Sequence, residues 1–212
     1  MNEYPVMIRL KGKKITVIGG GKVAERKILS LLQAEGVVEV ISPSVTEKIQ
    51  TLAQTAQLKW VKKEFEHYDV KSSFLVIAAT NRREINQQVA EAVNEYQLVN
   101  IVDNPEKSNF IVPSSHQQGK LTIAVSTSGS SPSLAKKIKN ELAQQFDETY
   151  AEYLDFLHNC RDVVKLRVEK PEIRRQLLKL LLEDEFLALT KNGQLTERNQ
   201  RFLSLLEDIT GR

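Results

Sequence analysis

Lys14-Ile15-Thr16-Val17-Ile18-Gly19-Gly20-Gly21-Lys22-Val23-Ala24 is the stretch that decides the fold. Its first five residues are β-branched apart from Lys14 and read as a buried strand, which the three glycines end. From Val23 onward the period changes, with Val23, Ala24, Ile28, Leu31 and Leu32 recurring at helical spacing until Gly36. Strand, glycine turn and helix open a βαβ unit, and the spacing G-x-G-x-x-A has a chemical reason. Gly19 permits the tight turn, Gly21 lets the backbone approach a pyrophosphate, and Ala24 lets the helix lie close on the strand. The free amides at the helix start then point at the phosphate. The bland alternative is a turn that is merely rich in glycine, Gly20 included.

Outward from this motif the same alternation repeats. Val37–Ile41 is β-rich, and Pro43-Ser44 with Glu47 three residues on predicts a capping box at the head of a helix carrying Val45, Ile49, Leu52, Ala53 and Ala56. A short strand near Lys59–Lys63 precedes Phe74–Ala79. Asn81, with Glu84 three residues on, predicts the cap of a helix buried through Ile85, Val89 and Val93, and Leu98–Val102 supplies a fifth strand. Strands separated by helices imply right-handed crossovers, so the first region is predicted as an α/β domain with a Rossmann-type parallel sheet. After about residue 108 the pattern changes. Asn109–Pro113 and Leu121–Ser126 read as strands joined by a polar link, SSHQQGK. Ser131-Pro132 then reads as N-cap and first residue of a helix. The remainder is helix-forming, punctuated by Pro171, Asn192-Gly193 and Gly211. Three regions are expected: 1–113 as a nucleotide-binding domain, 114–150 as a small β+α segment, and 151–212 as a helical C-terminal domain.

Composition narrows the classes. The 212 residues are 41% hydrophobic and 27% charged, enough for a core, and 30 basic against 27 acidic groups leave a charge of +3 spread along the chain. A nucleic-acid footprint would concentrate basic groups, so no nucleic-acid partner is expected. One cysteine, Cys160, excludes an intrachain disulfide and a cysteine metal cluster. His67, His116 and His158 show no metal-ligand spacing. The apolar runs are far too short to span a bilayer, and the N-terminus lacks a signal-peptide pattern, so a soluble cytoplasmic protein without a membrane partner is expected.

The strand ends hold the other candidate residues. An NAD site usually carries an acid at the end of the second strand, but here that strand ends Ile41-Ser42-Pro43-Ser44, with Glu39 inside it. Ser42, Ser44 and the adjacent backbone are the candidates for holding a ribose, and the absence of an arginine at this turn favours NAD over NADP. Thr80, at the small-residue end of the fourth strand, offers a hydroxyl to a cofactor lying across the strand tips. Asp103 follows the fifth strand, at the carboxyl edge where open α/β sheets bind ligands. It suits a proton acceptor beside a nicotinamide ring if burial raises its pKa, or a turn-forming residue before Asn104-Pro105. The hydroxyls of Ser126, Thr127, Ser128 and Ser131, with Lys136 and Lys137 nearby, suit carboxylates of an anionic ligand. His116 lies on the link that follows Asp103.

Several blocks together resemble the precorrin-2 dehydrogenase family of sirohaem biosynthesis, in its stand-alone and bifunctional dehydrogenase–ferrochelatase forms. They are Val17–Lys27, Ala78-Ala79-Thr80-Asn81 with Asn86, Val99–Pro105, Phe110–Pro113, and Val125–Pro132 with Leu134-Ala135. The resemblance covers roughly the first 145 residues by their order and spacing. It implies NAD-dependent oxidation of precorrin-2, a tetrapyrrole, to sirohydrochlorin, and a homodimer built through the middle segment with the cleft between that segment and the nucleotide domain. It places the family's proposed catalytic carboxylate on Asp103 and its cofactor contacts on Lys22-Val23 and Pro43-Ser44. A substrate-lining serine of some members falls in the neighbourhood of Thr127, which Ser126 and Ser128 flank. Insertion of iron or cobalt into sirohydrochlorin is the neighbouring alternative activity, in which Asp103 and His116 would serve. A non-catalytic NAD-sensing domain is a remote one, since it would want a ribose acid and would have little use for Asp103.

Overall fold

The computed structural model describes residues 3–211, which fall into two compact units, one ending at Val112 and the other beginning at Pro113. In the first, the elements run β1 (Lys14–Ile18), α1 (Lys22–Gln33), β2 (Val37–Ile41), α2 (Glu47–Gln54), β3 (Lys59–Val61), β4 (Leu75–Ala78), α3 (Arg83–Ala92) and β5 (Leu98–Ile101). Every pairing is parallel, and the strand order is β3-β2-β1-β4-β5. The order reverses between β1 and β4, which makes the carboxyl ends of those two strands the switch point where such sheets open a crevice.

Burial explains the strand pattern. Ile15, Val17 and Ile18 are each no more than 2% exposed, as parallel strands covered on both faces require. Ile15 and Val17 pack with Ala24, Ile28 and Leu31 of α1 on one face, and Ile18 packs with Val76, Ile85 and Val89 on the other. Each such aliphatic side chain withdrawn from water stabilises the fold by about 1.5–3 kcal/mol. Glu39 is the one acid in β2, and it is spent on structure. Its carboxylate meets Lys59 Nζ at 2.6 Å and Lys14 Nζ at 3.3 Å. Partial burial would push the Glu39 carboxyl up, but the two ammonium groups outweigh it and hold the group below the usual carboxylate range.

Three local expectations need correction. Ser44 does not cap α2: the N-cap is Thr46, whose Oγ1 accepts from Ile49 N at 3.4 Å while Thr46 N donates to the Gly20 carbonyl at 2.9 Å. Packing of this turn against the glycine loop starts the helix two residues later than Ser44 would. Nor does Asn81 cap α3, which begins at Arg83 without a side-chain cap. The Thr80 hydroxyl takes the Arg82 N–H at 3.1 Å instead. The third correction concerns Asn109–Pro113, which forms no strand. Asn109 Oδ1 accepts from Val99 N at 2.8 Å and Asn109 Nδ2 donates to the Gln97 carbonyl at 2.7 Å, so side-chain bonds tie this segment along the outer edge of β5 where a ladder would have formed.

The second unit opens with a two-stranded antiparallel hairpin, β6 (Ser114–Gln118) and β7 (Leu121–Val125). The polar stretch that reads as a link is therefore itself a strand, and His116 sits within it. Gln118 pairs with Leu121, leaving a two-residue turn in which Gly119 takes φ +55°, the left-handed region that glycine accepts at little cost. The hairpin packs against α4 (Pro132–Gln145), and helices α5 (Thr149–Arg167), α6 (Pro171–Leu180), α7 (Asp184–Lys191) and α8 (Leu195–Thr210) follow. Tyr153, Phe156, Cys160 and Val164 form the buried stripe of α5, against Leu177, Leu181, Phe186, Phe202 and Leu206. The Arg198 guanidinium lies 4.3 Å over the Phe156 ring and donates to Thr190 Oγ1 at 3.0 Å. Burial pushes the Cys160 thiol up to about 12, so the chain's single cysteine is an inert core residue. Among the described residues no helix is long and apolar enough to cross a membrane, and no cluster of three or more His, Cys, Asp or Glu is disposed to hold a metal ion.

Candidate functional site

Along the carboxyl edge of the parallel sheet, four strand ends bring the candidates of the first unit side by side. Ser42–Ser44 follow β2, Gly19–Gly21 follow β1, Thr80 follows β4 and Asp103 follows β5. The three glycines have separate jobs. Gly19 takes φ +112°, and a Cβ there would stand 2.4 Å from the Ala79 carbonyl oxygen, so only glycine lets β1 and β4 end this close together. A Cβ on Gly20 would meet the Ser44 carbonyl oxygen at 2.2 Å, so this glycine seats the loop after β2. Gly21 differs from both: a Cβ there meets nothing within 4 Å. The space beside it is open, as approach by a pyrophosphate demands.

Gly21 is also the N-cap of α1 and supplies no side chain to cap it. The first backbone bond into the helix is Glu25 N to Gly21 O at 2.9 Å, so the amides of Lys22, Val23 and Ala24 face outward at the positive end of the helix. These features fit a dinucleotide phosphate. The Thr46 hydroxyl, with help from Lys22, holds the Glu25 carboxyl below its ordinary range, so an anion at the loop faces an acid already partnered.

The loop after β2 has no acid for a ribose. Ser42 is buried, its hydroxyl donates to the Ser44 carbonyl at 2.7 Å, and its carbonyl accepts from Trp60 Nε1 at 2.9 Å. Pro43 and Ser44 are the exposed residues here, so of the two serines only Ser44 presents a hydroxyl outward. Thr80 is likewise engaged within the protein: its hydroxyl lies 2.8 Å from Asn86 Oδ1 and 2.9 Å from the Arg82 carbonyl.

Asp103 stands in the turn after β5, closed by Asn104 N to the Ile101 carbonyl at 3.2 Å. It borders a polar cleft of about 440 Å³ lined also by Arg83, Glu84, Asn86, Gln87, Asn104 and Lys107. One carboxylate oxygen accepts from Asn86 Nδ2 at 2.9 Å. The burial that a proton-accepting role calls on is absent, for Asp103 is exposed. Asn86, by contrast, is 1% exposed and touches both Thr80 and Asp103. Residue chemistry alone does not single it out. Its signal is positional, because it lies on the buried stripe of α3 with Ile85 and Val89, where an amide needs polar partners.

In the second unit, Ser131 caps α4 as its sequence predicts, its Oγ accepting from Leu134 N at 3.3 Å with Pro132 next. Ser126 Oγ accepts from Ser128 N at 3.1 Å, and Thr127 Oγ1 accepts from Ser131 N at 3.1 Å. Ser128 and Gly129 have φ of +50° and +82°, so the loop is a tight knot of hydroxyls at the head of α4. Lys136 is exposed one turn further on, and Lys137 pairs with Glu141 at 3.9 Å. His116 Nε2 lies 2.9 Å from the Phe146 carbonyl, so this ring ties the hairpin to the end of α4.

The parallel sheet, the outward amides of α1 and the open face of Gly21 define a dinucleotide-binding domain, here followed by a second unit of hairpin and helices. Residues 6–114 match a family described as NAD(P)-binding, residues 118–145 the sirohaem biosynthesis protein central family, and residues 150–192 the SirC C-terminal domain. The chain is 32% identical over 201 residues to a precorrin-2 dehydrogenase of Priestia megaterium, covering 94% of this chain and 99% of that one. It is 35% identical over 195 residues to a siroheme synthase of Thioalkalivibrio sulfidiphilus, of which it spans 40%. A solved structure of SirC, a precorrin-2 dehydrogenase, superposes with a TM-score of 0.80 at 30% identity, covering 93% of this chain and all of that one. The chain belongs to the precorrin-2 dehydrogenase family.

Proposed function

We propose that this chain binds NAD across the carboxyl edge of its sheet and oxidises precorrin-2 to sirohydrochlorin, with Asp103 accepting the proton. One observation carries the role of Asp103: it is the acid at the carboxyl edge, next but one to the glycine strand, oriented by a buried amide and open to a cleft. The oxidation removes a hydride and a proton from a reduced macrocycle and leaves one more double bond in conjugation. Bound nicotinamide supplies the hydride acceptor. The protein's own residues do the rest. The amides of Lys22 and Val23 would hold the pyrophosphate, the Pro43-Ser44 turn would hold the ribose, and the carboxylate of Asp103 takes the proton.

The macrocycle carries many carboxylates, and the hydroxyl knot at Ser126–Ser131 suits them. A hydroxyl oxygen that already accepts a backbone N–H has its proton to offer, and Lys136 adds a nearby positive charge. Metal insertion as a second activity is not favoured, since the match that runs the length of both chains is to a protein named for the dehydrogenase reaction alone. NAD is preferred to NADP because no arginine stands at the end of β2 to receive a 2′-phosphate. Under anaerobic conditions, precorrin-2 with NAD should yield NADH and sirohydrochlorin, with kcat/KM at least about tenfold higher for NAD than for NADP. Absence of reduced nicotinamide with either cofactor would remove the assignment.

A homodimer completes the proposal. It is built through the middle segment, 114–150, whose hairpin and helix are too small to bury their own apolar face and leave Leu134 of α4 exposed for a second copy to cover. Light scattering at micromolar concentration should return twice the mass of one 24.1 kDa chain, and a monomer mass would count against it.

A further inference from the structure

We infer that Asn86 is a positioning residue for the reaction, holding the Asp103 carboxylate in register with the end of β4. The inference rests on the role of Asp103 proposed above. Asn86 projects from α3 with its side chain buried, and its amide has no unused hydrogen-bonding capacity. Oδ1 accepts from Thr80 N at 3.2 Å and lies 2.8 Å from Thr80 Oγ1, while Nδ2 donates to the Thr80 carbonyl at 3.1 Å and to Asp103 Oδ1 at 2.9 Å.

This pattern fixes which way the amide faces. Flipped, it would set an NH2 against the Thr80 N–H and an oxygen against both a carbonyl and a carboxylate. The donor toward Asp103 is thus dictated by the backbone of Thr80 and is not free to turn away. With Oδ1 engaged by that bond, Oδ2 is the more open proton-accepting atom, and the carboxylate is tethered to the end of β4. One buried side chain therefore couples the ends of β4 and β5. A satisfied polar group in an apolar stripe costs stability compared with a well-packed aliphatic one, and positioning of a reacting carboxylate is what it returns.

Two variants separate positioning from mere structure. Asn86→Asp keeps the shape but sets a carboxylate against Asp103, so the pair retains a proton to higher pH. The other charged groups at the cleft, Arg83 and Glu84 on α3 and Lys107 after β5, are unchanged in it. The expected result is an acid limb of kcat/KM moved up by about one pH unit or more, with turnover partly recovered as pH rises. Asn86→Gln keeps the amide but displaces it by a methylene. It should lower kcat about 10- to 100-fold with the acid limb unmoved and KM for precorrin-2 within about threefold of wild type.

A structural role predicts a lower melting temperature in both variants with neither the limb nor kcat changed in the folded protein, and that result overturns the inference. If Asn86→Asp fails to fold, Asn86→Gln decides alone, and full kcat in it is equally fatal. Wild type and Asp103→Asn are assayed alongside. Turnover in wild type with loss in Asp103→Asn leaves the function reading standing whatever Asn86 does. Full turnover in Asp103→Asn removes the base itself, and the inference with it.

Discussion

Asp103→Asn lowers turnover of precorrin-2 by about two to four orders of magnitude, while NAD affinity and the melting temperature stay near those of the parent. Asparagine has the shape of aspartate but cannot take up a proton. The turn does not need the carboxylate, because its closing bond runs from Asn104 N to the Ile101 carbonyl, and asparagine is as good a turn residue. Its side-chain oxygen can still accept from Asn86 Nδ2, so the fold loses little. The measurement is steady-state NADH production at varied precorrin-2, anaerobic because the reduced macrocycle oxidises in air. Near-normal turnover would make Asp103 a turn residue. Weaker precorrin-2 affinity with normal turnover at saturation would make it a binding group.

Gly21→Asp abolishes NAD binding and leaves the protein folded. The open space beside Gly21 accepts a side chain, and the backbone there, at φ −82° and ψ −174°, is ordinary for any residue. Aspartate is a favoured N-cap, so the variant should match or exceed the parent in stability by a few tenths of a kcal/mol. The same carboxylate takes the outward amides of α1 for itself and repels the pyrophosphate. NAD affinity should fall at least ~100-fold, or ~2.7 kcal/mol. Gly20→Ala makes the contrast, since its Cβ would stand 2.2 Å from a backbone carbonyl oxygen and should unsettle the fold. Calorimetry with NAD alongside thermal melting reads both variants. Unchanged NAD affinity in a folded Gly21→Asp would sink the phosphate-loop assignment.

The contrast between Gly20 and Gly21 marks how far the sequence could be read. The spacing of glycines after a β-branched run identifies strand, loop and helix, because each requirement is local: a turn, a close approach, a small residue at Ala24. Which of the adjacent glycines faces a ligand and which seats a neighbouring loop is a tertiary fact, set by where the Ser44 carbonyl lies. The hairpin after residue 113 was hard to read for a different reason. Ser114–Gln118 carries no apolar alternation, since its inward positions are Ser114, His116 and Gln118. Asn109–Pro113 looked more like a strand than it is, because its apolar members gave no hint that Asn109 would bond across to β5. Asp103 was legible from its place after a strand, but its orienting partner sits 17 residues earlier on α3. Only the packing of that helix brings the two together.

The strip that Asn109 lays along β5 also bears on how the protein keeps to itself. An open parallel sheet ends in strands whose outward peptide groups invite another chain. On the β5 side that invitation is withdrawn: the N–H groups of Val99 and Ile101 are taken by Asn109 Oδ1 and Ser108 Oγ, and the Val99 carbonyl by Asn109 N. At the opposite margin β3 offers only three residues. Neither margin presents a long free ladder, which guards the sheet against runaway cross-strand polymerisation. Any chain that meets this sheet is thereby directed to its side-chain surfaces, where the choice of partner is set by shape and chemistry rather than by backbone pairing that any extended chain could satisfy.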